Sequence, residues 1–282
     1  MPQPLLPNPD VLLTDEQIAA FHRDGFLAIP AITTPDEIER LREIYDRLFE
    51  RQAGRDEGNQ FDLAGADEEG KEAALPQILN PAKYAPELKE TQFRANALAI
   101  ARQLLGPEAD YGGEHAILKP ARTGAPTPWH QDEAYWDPGL EYHSISVWMP
   151  LQEATLENGC MSFVPGSHKL PIVPHRSIGN DPRVHGLEIA ADVDVSNAVA
   201  CPLPAGGATF HLSSTLHYAG PNVSDIPRRA YILSFKAPTR PRETPRDFWW
   251  QRDKRTARQA RAETARSATT TTEQQQRAAN VM

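Results

Sequence analysis

The sequence predicts a mainly β protein in which helices flank a double-sheet β core. Between residues 111 and 238, short apolar runs alternate with Pro and Gly, a texture typical of β-sandwiches and barrels. Residues 14–106 instead carry helix-start signals and apolar residues at helical spacing. The 282 residues, 40% hydrophobic and 24% charged, are enough to bury a substantial core. We therefore expect one domain over residues 14–250, with its helical part first.

Two capping signals mark the starts of the first helices. Thr14 can form a reciprocal capping box with Gln17, and Thr34 can form a second box with Glu37. A Pro in the first turn suits the second helix, which is predicted to span residues 35–50. The residues that this helix should bury recur at helical spacing: Ile38, Leu41, Ile44, Tyr45 and Leu48.

A third helix, a loop and a set of strands are also indicated. Residues 86–105 keep helical spacing and are followed by Gly-Pro, which predicts a helix that ends there. Residues 51–72 are polar and Gly-rich, which predicts a loop or lid. The predicted strands are the short apolar runs 25–30, 115–119, 145–151, 161–164, 207–211 and 231–235.

The two ends of the chain differ from the rest. Residues 1–13 are Pro-rich and are predicted to be flexible. The tail, 251–282, begins with a basic stretch that holds six Lys or Arg against two acids over 252–266. Such a charge run predicts a solvated helix. Runs of Thr and Gln then predict disorder over 265–282.

Composition argues against several classes of function. The formal net charge of −9 does not favour nucleic acid or an anionic membrane as a partner. No stretch approaches the ~18 apolar residues of a membrane span, and no basic segment precedes an apolar run as in a secretory signal. Cys160 and Cys201 are expected to be free thiols. We expect a cytoplasmic monomer or homodimer whose partner is a small-molecule substrate.

His130 and Asp132 are the first candidates for a metal site. In an extended segment, side chains two residues apart point to the same side, so both can reach one ion. An imidazole and a carboxylate are two of the three ligands in non-haem iron(II) oxygenases. The motif alone is short enough to occur by chance. His217 supplies a third candidate ligand, and Arg228 could hold the far carboxylate of an iron-bound 2-oxo acid.

Segments around these residues resemble the phytanoyl-CoA dioxygenase family of Fe(II)/2-oxoglutarate oxygenases. The resemblance covers roughly residues 12–238, and its most specific part is ENGCMSFVPGSH at 157–168. It implies a double-stranded β-helix, a cupin-like jelly-roll, over 111–238. It also implies Fe(II), 2-oxoglutarate and O2, and hydroxylation or another oxidation of a small organic molecule with release of succinate and CO2. The other segments that carry it are TDEQIAAFHRDGFLAI at 14–29, WHQD at 129–132, 146–150 and 217–230.

The resemblance implies a role for individual residues. His130, Asp132 and His217 match the iron ligands. Arg228 matches the arginine that pairs with the 2-oxoglutarate carboxylate, whereas its neighbour Arg229 should point to the other face of the strand. Three further residues match positions that contact the co-substrate: Trp148, His115 and Gln77.

Departures from the family pattern and other functions stay open at this stage. Ala219 stands where the family often has a small hydroxyl residue, and the position near Gln77 can carry Lys. His211, six residues before His217, could be mistaken for the ligand. The presence of Asp132 disfavours a halogenase, in which a small residue replaces the carboxylate. A non-redox cupin-like binding or isomerase module and an inactive interaction protein remain alternatives.

Several other residues could have a purely structural role. Trp129 and Trp136 could serve the core or face a substrate. Lys119 is expected in a solvated loop. His175 and His185 are expected at the surface or beside the site rather than in it.

Overall fold

The computed structural model describes residues 11–279, with side-chain positions up to residue 268. Most of the predicted flexible N-terminus lies outside the described residues. At its end, however, the Leu13 N–H donates to Gln103 Oε1 at 2.9 Å, so that residue is anchored. The α-helices are α1 (Asp15–Asp24), α2 (Pro35–Glu50), α3 (Gln92–Leu105), α4 (Trp249–Arg252) and α5 (Ala257–Ala279). Short 3-10 helices occupy Pro81–Lys83, Pro86–Glu90, Asp132–Tyr135, Ser167–Lys169 and Ile178–Asn180.

Two facing β-sheets form the centre of the molecule. The larger sheet has seven strands in the order β1-β12-β7-β14-β4-β3-β2, and the smaller has four in the order β11-β8-β13-β5. The predicted mainly β fold with flanking helices is confirmed. The strands are β1 (Phe26–Ile29), β2 (Gln60–Asp62), β3 (Pro76–Leu79), β4 (Asp110–Lys119), β5 (Thr127–His130), β6 (Leu140–Glu141), β7 (Ser144–Pro150), β8 (Met161–Phe163), β9 (His175–Ser177), β10 (Leu187–Ile189), β11 (Val199–Cys201), β12 (Ala208–Leu212), β13 (His217–Ala219), β14 (Arg228–Lys236) and β15 (Arg240–Pro241).

The larger sheet has one face toward the helices and the other toward the smaller sheet. On β14, Tyr231 and Leu233 belong to the core under the helices, whereas Ile232 packs with residues of the smaller sheet. This alternation follows from the two-residue repeat of a strand. Tyr45 of α2 donates its hydroxyl to the Ala230 carbonyl at 2.8 Å, which fixes the helix on this sheet. The space between the sheets is therefore lined from both sides.

The helix starts show where a local signal was overridden by a tertiary contact. The capping box at Thr14 is confirmed, and α2 has its predicted bounds. The second box is wrong in its return bond, although Thr34 accepts from the Glu37 N–H. The Glu37 carboxylate instead accepts from the N–H groups of Gln92 (2.7 Å) and Phe93 (2.8 Å). Those groups are unpaired donors at the start of α3, so the carboxylate is more useful there.

Two predicted elements have more internal structure than expected. The predicted helix over 86–105 is a 3-10 helix followed by α3, and Thr91 separates them by capping α3 through its hydroxyl. The predicted loop over 51–72 contains β2, which joins the edge of the larger sheet beside β3. Because both 51–72 and β3 reach the space between the sheets, this edge contributes to its wall.

The C-terminal segment departs furthest from prediction. Helix α5 continues through residues 265–279, so the predicted disorder is wrong there, and 280–282 lie outside the described residues. Only one side of the start of the helix is solvated, because Arg258 on the other side lies over the ring of Phe61, 5.1 Å from the guanidinium carbon to the ring centroid. None of the described helices, α5 included, is both long and apolar enough to cross a membrane.

Candidate metal centre and its cavity

His130, Asp132 and His217 form a compact cluster at the end of the cavity between the sheets. One ligand atom from each lies within 4.8 Å of the other two, and among the described residues this is the group whose geometry could hold a metal ion. Asp132 Oδ1 is 3.7 Å from His130 Nε2 and 3.5 Å from His217 Nε2. The sequence prediction that these three residues meet is therefore matched by the geometry.

Strand pairing brings the two histidines together. His130 ends β5, and His217 begins β13 directly opposite it in the antiparallel register. The His130 Nδ1 lies 2.8 Å from the Pro128 carbonyl, and the His217 Nδ1 lies 2.9 Å from the Thr215 carbonyl. Because a carbonyl can only accept, each Nδ1 carries the proton and each Nε2 offers a lone pair to the centre.

The carboxylate of Asp132 is oriented by its second oxygen. Ser146 donates its hydroxyl to Oδ2 at 2.6 Å, and His211 Nε2 lies 3.5 Å from the same oxygen. Oδ1 is thus left facing the two histidines. Burial alone would raise the pKa of Asp132, but His217 and His211 hold it well below its usual range.

The same charges set the protonation of the histidines. Burial, together with the neighbouring His217, lowers the pKa of His130 to about 3. Burial also acts to lower the pKa of His217, but the attraction of Asp132 outweighs it and raises that pKa. Burial lowers the pKa of His211 to about 4. His130 is therefore neutral, whereas the raised pKa of His217 means that a bound metal would displace a proton from that ring. Two imidazoles and one carboxylate form a donor set that suits a divalent transition metal.

Gln131 between the two ligands is a supporting residue that the sequence analysis did not single out. It is fully buried. Its backbone N–H donates to His175 Nε2 at 3.1 Å, and its side-chain amide donates to the Ser214 carbonyl at 2.8 Å. Its Oε1 accepts from the Val173 N–H at 2.9 Å. Only its place inside the WHQD motif hinted at this role, which is to fix the chain between His130 and Asp132.

Arg228 lies on the opposite sheet and faces the same cavity. Its side chain is 1% exposed, and its Nε and Nη1 have no hydrogen-bond partner among the described residues. Its guanidinium carbon lies 5.2 Å from the Trp148 ring centroid. Burial lowers the pKa of Arg228 to about 10, so the group stays cationic at neutral pH. The next residue, Arg229, points to the other face as predicted and pairs with Asp46 at 2.7 Å.

An unpaired buried guanidinium is costly unless an anion binds it. The unpaired Arg228 therefore suits one carboxylate of a dicarboxylate, and the triad suits an iron(II) ion. The triad offers two imidazole nitrogens and one carboxylate oxygen, and Arg228 offers free donors in the same cavity. Both groups fit the site.

The cavity itself has a volume of about 560 Å³. Its lining includes Trp148, His115 and Gln77, the three residues for which co-substrate contacts were predicted. They lie on β7, β4 and β3 of the larger sheet. The two histidines of the His-Asp-His triad thus belong to the smaller sheet, and the predicted co-substrate residues belong to the larger one. The rest of the lining includes the apolar side chain of Leu63 and the aromatic rings of Tyr135, Trp136, Tyr142 and His185.

Other predicted positions differ in outcome. Lys119 is not in a solvated loop, because it is fully buried and donates to the carbonyls of Ala219 (3.2 Å) and Gly220 (2.7 Å) just after His217. Trp136 faces the cavity, whereas Trp129 stacks on Tyr218 outside its lining. The expected free thiols are confirmed, and both are buried.

Comparison with known proteins agrees with this site. The sequence profile of the phytanoyl-CoA dioxygenase (PhyH) family matches residues 21–230. A probable alpha-ketoglutarate-dependent hypophosphite dioxygenase of Stutzerimonas stutzeri is 28% identical over 166 residues, 58% of this chain and 57% of that protein. A phytanoyl-CoA dioxygenase domain-containing protein 1 homolog of Dictyostelium discoideum is 27% identical over 79% of this chain and 91% of its own.

Solved structures give the same answer for the fold. EvdO2 from Micromonospora carbonacea var. aurantiaca is 40% identical, with a TM-score of 0.73 over 85% of this chain and 97% of that chain. A second structure of EvdO2 is a complex with 2-oxoglutarate and has a TM-score of 0.72. This chain belongs to the phytanoyl-CoA dioxygenase family. The predicted family, the cupin-like double-stranded β-helix, the dioxygenase class and the use of iron and 2-oxoglutarate are thereby confirmed.

Proposed function

We propose that His130, Asp132 and His217 hold Fe(II), and that Arg228 binds the far carboxylate of 2-oxoglutarate, in an enzyme that oxidises a small organic molecule. The observation that carries this proposal is the pairing of two features in one cavity. The three ligand atoms lie within 4.8 Å of one another, and an unpaired buried guanidinium faces them from the opposite sheet.

When bound, iron supplies the activation of dioxygen, coupled to decarboxylation of 2-oxoglutarate to succinate and CO2, that oxidises the substrate. The protein supplies orientation. His130 and His217 keep Nε2 directed inward through the bonds of Nδ1 to carbonyls. Ser146 holds Asp132 Oδ2, which leaves Oδ1 as the single carboxylate donor. Three protein ligands on one side leave the cavity side for the co-substrate.

The co-substrate pocket is assigned to the larger sheet. Arg228 presents planar donors that match a carboxylate, and Trp148 supports the guanidinium from one side. His115 and Gln77 face the same cavity and can contribute polar contacts to the 2-oxo acid. Burial lowers the pKa of His115 to about 4, so it is a neutral hydrogen-bonding group at neutral pH.

The substrate is assigned to the part of the cavity further from Arg228. The lining there includes Tyr135, Trp136 and Tyr142, whose aromatic rings and polar groups suit a small organic molecule. We assign hydroxylation as the default outcome. The cytoplasmic location, the monomeric or homodimeric state and the lack of a nucleic-acid partner remain predictions.

Succinate formation tests the proposal without knowledge of the substrate. Purified protein with Fe(II), ascorbate and 2-oxoglutarate is expected to release succinate slowly, and addition of a substrate from a metabolite library should increase the rate. Calorimetric titration with Fe(II) under anaerobic conditions is the parallel measurement. A protein that binds neither Fe(II) nor 2-oxoglutarate would instead favour a non-redox cupin-like module.

A further inference from the structure

The C-terminal segment 246–262, here called the C-terminal strap, lies beyond the part of the chain that matches the family profile, 21–230. It contains α4 and the first residues of α5. This short segment contacts three separate walls of the cavity, each contributed by a different region of the sequence. Its Phe248 and Trp250 form an apolar cluster with Ala134 and Leu187, and specific hydrogen bonds and ring contacts add to this packing.

The first wall is the 3-10 helix that begins at Asp132. Trp250 donates its indole N–H to the Ala134 carbonyl at 2.9 Å. Gln251 donates its side-chain amide to the same carbonyl at 2.8 Å and to the Trp136 carbonyl at 2.9 Å. The strap therefore satisfies the carbonyls of the helix that follows a proposed metal ligand.

The second wall is the loop that carries His185. Lys254 donates its ammonium to the His185 carbonyl, and its Nζ also lies 5.2 Å from the centroid of the Tyr135 ring. The Tyr135 hydroxyl in turn accepts from the Leu187 N–H at 2.7 Å. One lysine thus ties the loop to the first wall. Burial lowers the pKa of Lys254 to about 8, so it is largely cationic at neutral pH.

The third wall is the lid region. Arg258 covers the ring of Phe61, and Arg261 pairs with Asp67. Gly58 allows this close approach. Its φ is +71°, and a Cβ there would lie 2.3 Å from the Arg258 carbonyl oxygen. A larger residue at this position would push the strap away from the lid.

A continuous series of aromatic rings joins the strap to the His-Asp-His triad. The ring centroids of Phe61 and His185 are 4.8 Å apart, and those of His185 and Tyr135 are 5.8 Å apart. Tyr135 meets the ring of His130 edge-on at 6.1 Å. The strap residues Arg258 and Lys254 cover this series at Phe61 and Tyr135. Displacement of either end would be transmitted to a proposed iron ligand.

We propose that the C-terminal strap is a positioning element of this active site, which fixes the substrate-facing residues Tyr135 and His185 and, through Tyr135, the ring of His130. Lys254 and Arg258 are the positioning residues. The strap contacts the walls through protein atoms alone, so the proposal can be tested on metal-free protein. Only the link to His130 rests on the proposed function.

Hydrogen exchange of the full-length, metal-free protein provides the test. The reporters are the N–H groups of Ala134, Trp136, Gly186 and Leu187, which bond within or between the walls. In the double variant Lys254→Met, Arg258→Met, we expect these four to exchange about tenfold faster, because the hydrogen bond from Lys254 to the His185 carbonyl and the contacts of both cations with the rings of Tyr135 and Phe61 are lost. The amides of β7 and β14 should keep their wild-type rates. Arg252→Ala is the matched control, because its exposed side chain pairs with the exposed Asp247.

Each outcome decides the proposal. Unchanged exchange at the four reporters would overturn it, and so would equal acceleration throughout β7 and β14, since the strap would then contribute only general stability. Lys254→Arg should restore slow exchange because it keeps a cation on Tyr135. If the double variant does not fold, Lys254→Met alone carries the same expectations. The visible absorption of bound Co(II) should also change in Lys254→Met; failure of wild-type protein to bind Co(II) would refute the proposed function and leave the exchange result intact.

Discussion

The inner end of the cavity and its outer wall are built in different ways. At the inner end, His130 and His217 are cross-strand neighbours, and Arg228 begins a nine-residue strand paired on both sides. At the outer wall, Tyr135 and His185 lie in a 3-10 helix and a loop whose position depends on the C-terminal strap. Ladders of backbone bonds fix the first region, and a few side chains fix the second.

This difference separates shared chemistry from individual specificity. The metal and 2-oxoglutarate need the same geometry in every member of a family, and paired strands repeat that geometry accurately. A substrate differs between members, and loops held by a tail can change without disturbing the sheets. The contrast predicts large losses of activity from changes at the inner end and more selective effects at the outer wall.

Removal of the carboxylate ligand should have the largest effect. Loss of a residue that only orients a metal ligand typically lowers metal affinity by about 10- to 100-fold. Asp132→Ala removes a ligand itself and leaves two imidazoles, so the loss of Fe(II) affinity should be larger, and succinate release should be abolished. Calorimetry with Fe(II) and a succinate assay measure both. Asp137→Ala in the following loop is the control. Full activity in Asp132→Ala would show that the ligand assignment is wrong.

Removal of the buried cation should have the next largest effect. Arg228→Ala is expected to raise the 2-oxoglutarate concentration for half-maximal rate by about 100-fold, with metal affinity unchanged, because a charge-assisted pair is lost. Arg229→Ala is a matched control, since that residue is next in the strand but pairs with Asp46 on the other face. The same 2-oxoglutarate requirement in both variants would contradict the assigned role.

Loss of the hydroxyl beside the carboxylate should have a smaller effect. Ser146→Ala removes the 2.6 Å bond to Asp132 Oδ2 and should weaken Fe(II) binding by about tenfold. Ser234 lies directly opposite Ser146 on β14 and donates to the Gly113 carbonyl at 3.2 Å. Ser234→Ala should therefore keep wild-type affinity. Equal losses in the two variants would mean that the bond to Asp132 is not what matters.

The pH dependence of stability offers the smallest expected effect and probes the outer region. Burial lowers the pKa of His175 to about 4, with Lys254 and His217 as neighbouring charges. The folded protein keeps this residue neutral, whereas the unfolded chain binds a proton below about pH 6.5. The free energy of unfolding of metal-free protein should therefore decrease as the pH falls from 6.5 to 4, by up to about 1.4 kcal/mol per pH unit for this residue.

His175→Gln keeps an acceptor for the Gln131 N–H and removes the titrating group. The slope of unfolding free energy against pH, measured by urea titration, should become shallower by that amount. Since His115, His130 and His211 also have lowered pKa values, a residual slope should remain in the variant. An unaltered slope in His175→Gln would contradict the prediction.

The sequence predicted the key residues at the inner end of the cavity but few of the contacts at its outer wall. His130, Asp132, His217 and Arg228 were predicted because their types and spacing match the chemistry and the family, and all four face one cavity. The role of Ser146 was not predicted, because a serine in a strand carries no signal until its neighbour is known. The predicted return bond from Glu37 to the Thr34 N–H does not form for the same reason, since the actual partners of the Glu37 carboxylate lie 55 and 56 positions away.

The C-terminal strap marks the limit of prediction. Composition indicated a solvated basic helix, yet Arg261 pairs with Asp67, which is 194 positions earlier. Charge runs do usually face water, so the local signal gave no reason to expect burial. Only the folded chain shows that these cations stack on aromatic rings and bond to carbonyls of the cavity wall.

The sequence by itself determined the family, the mainly β fold with flanking helices, and the residues that we propose to bind the metal and the co-substrate. These follow from short-range periodicity and from residue types that the chemistry requires. The tertiary structure decided which sheet carries each half of the site, which oxygen of Asp132 faces the histidines, and what encloses the substrate. Those features depend on contacts between residues far apart in the chain, and local patterns do not encode them.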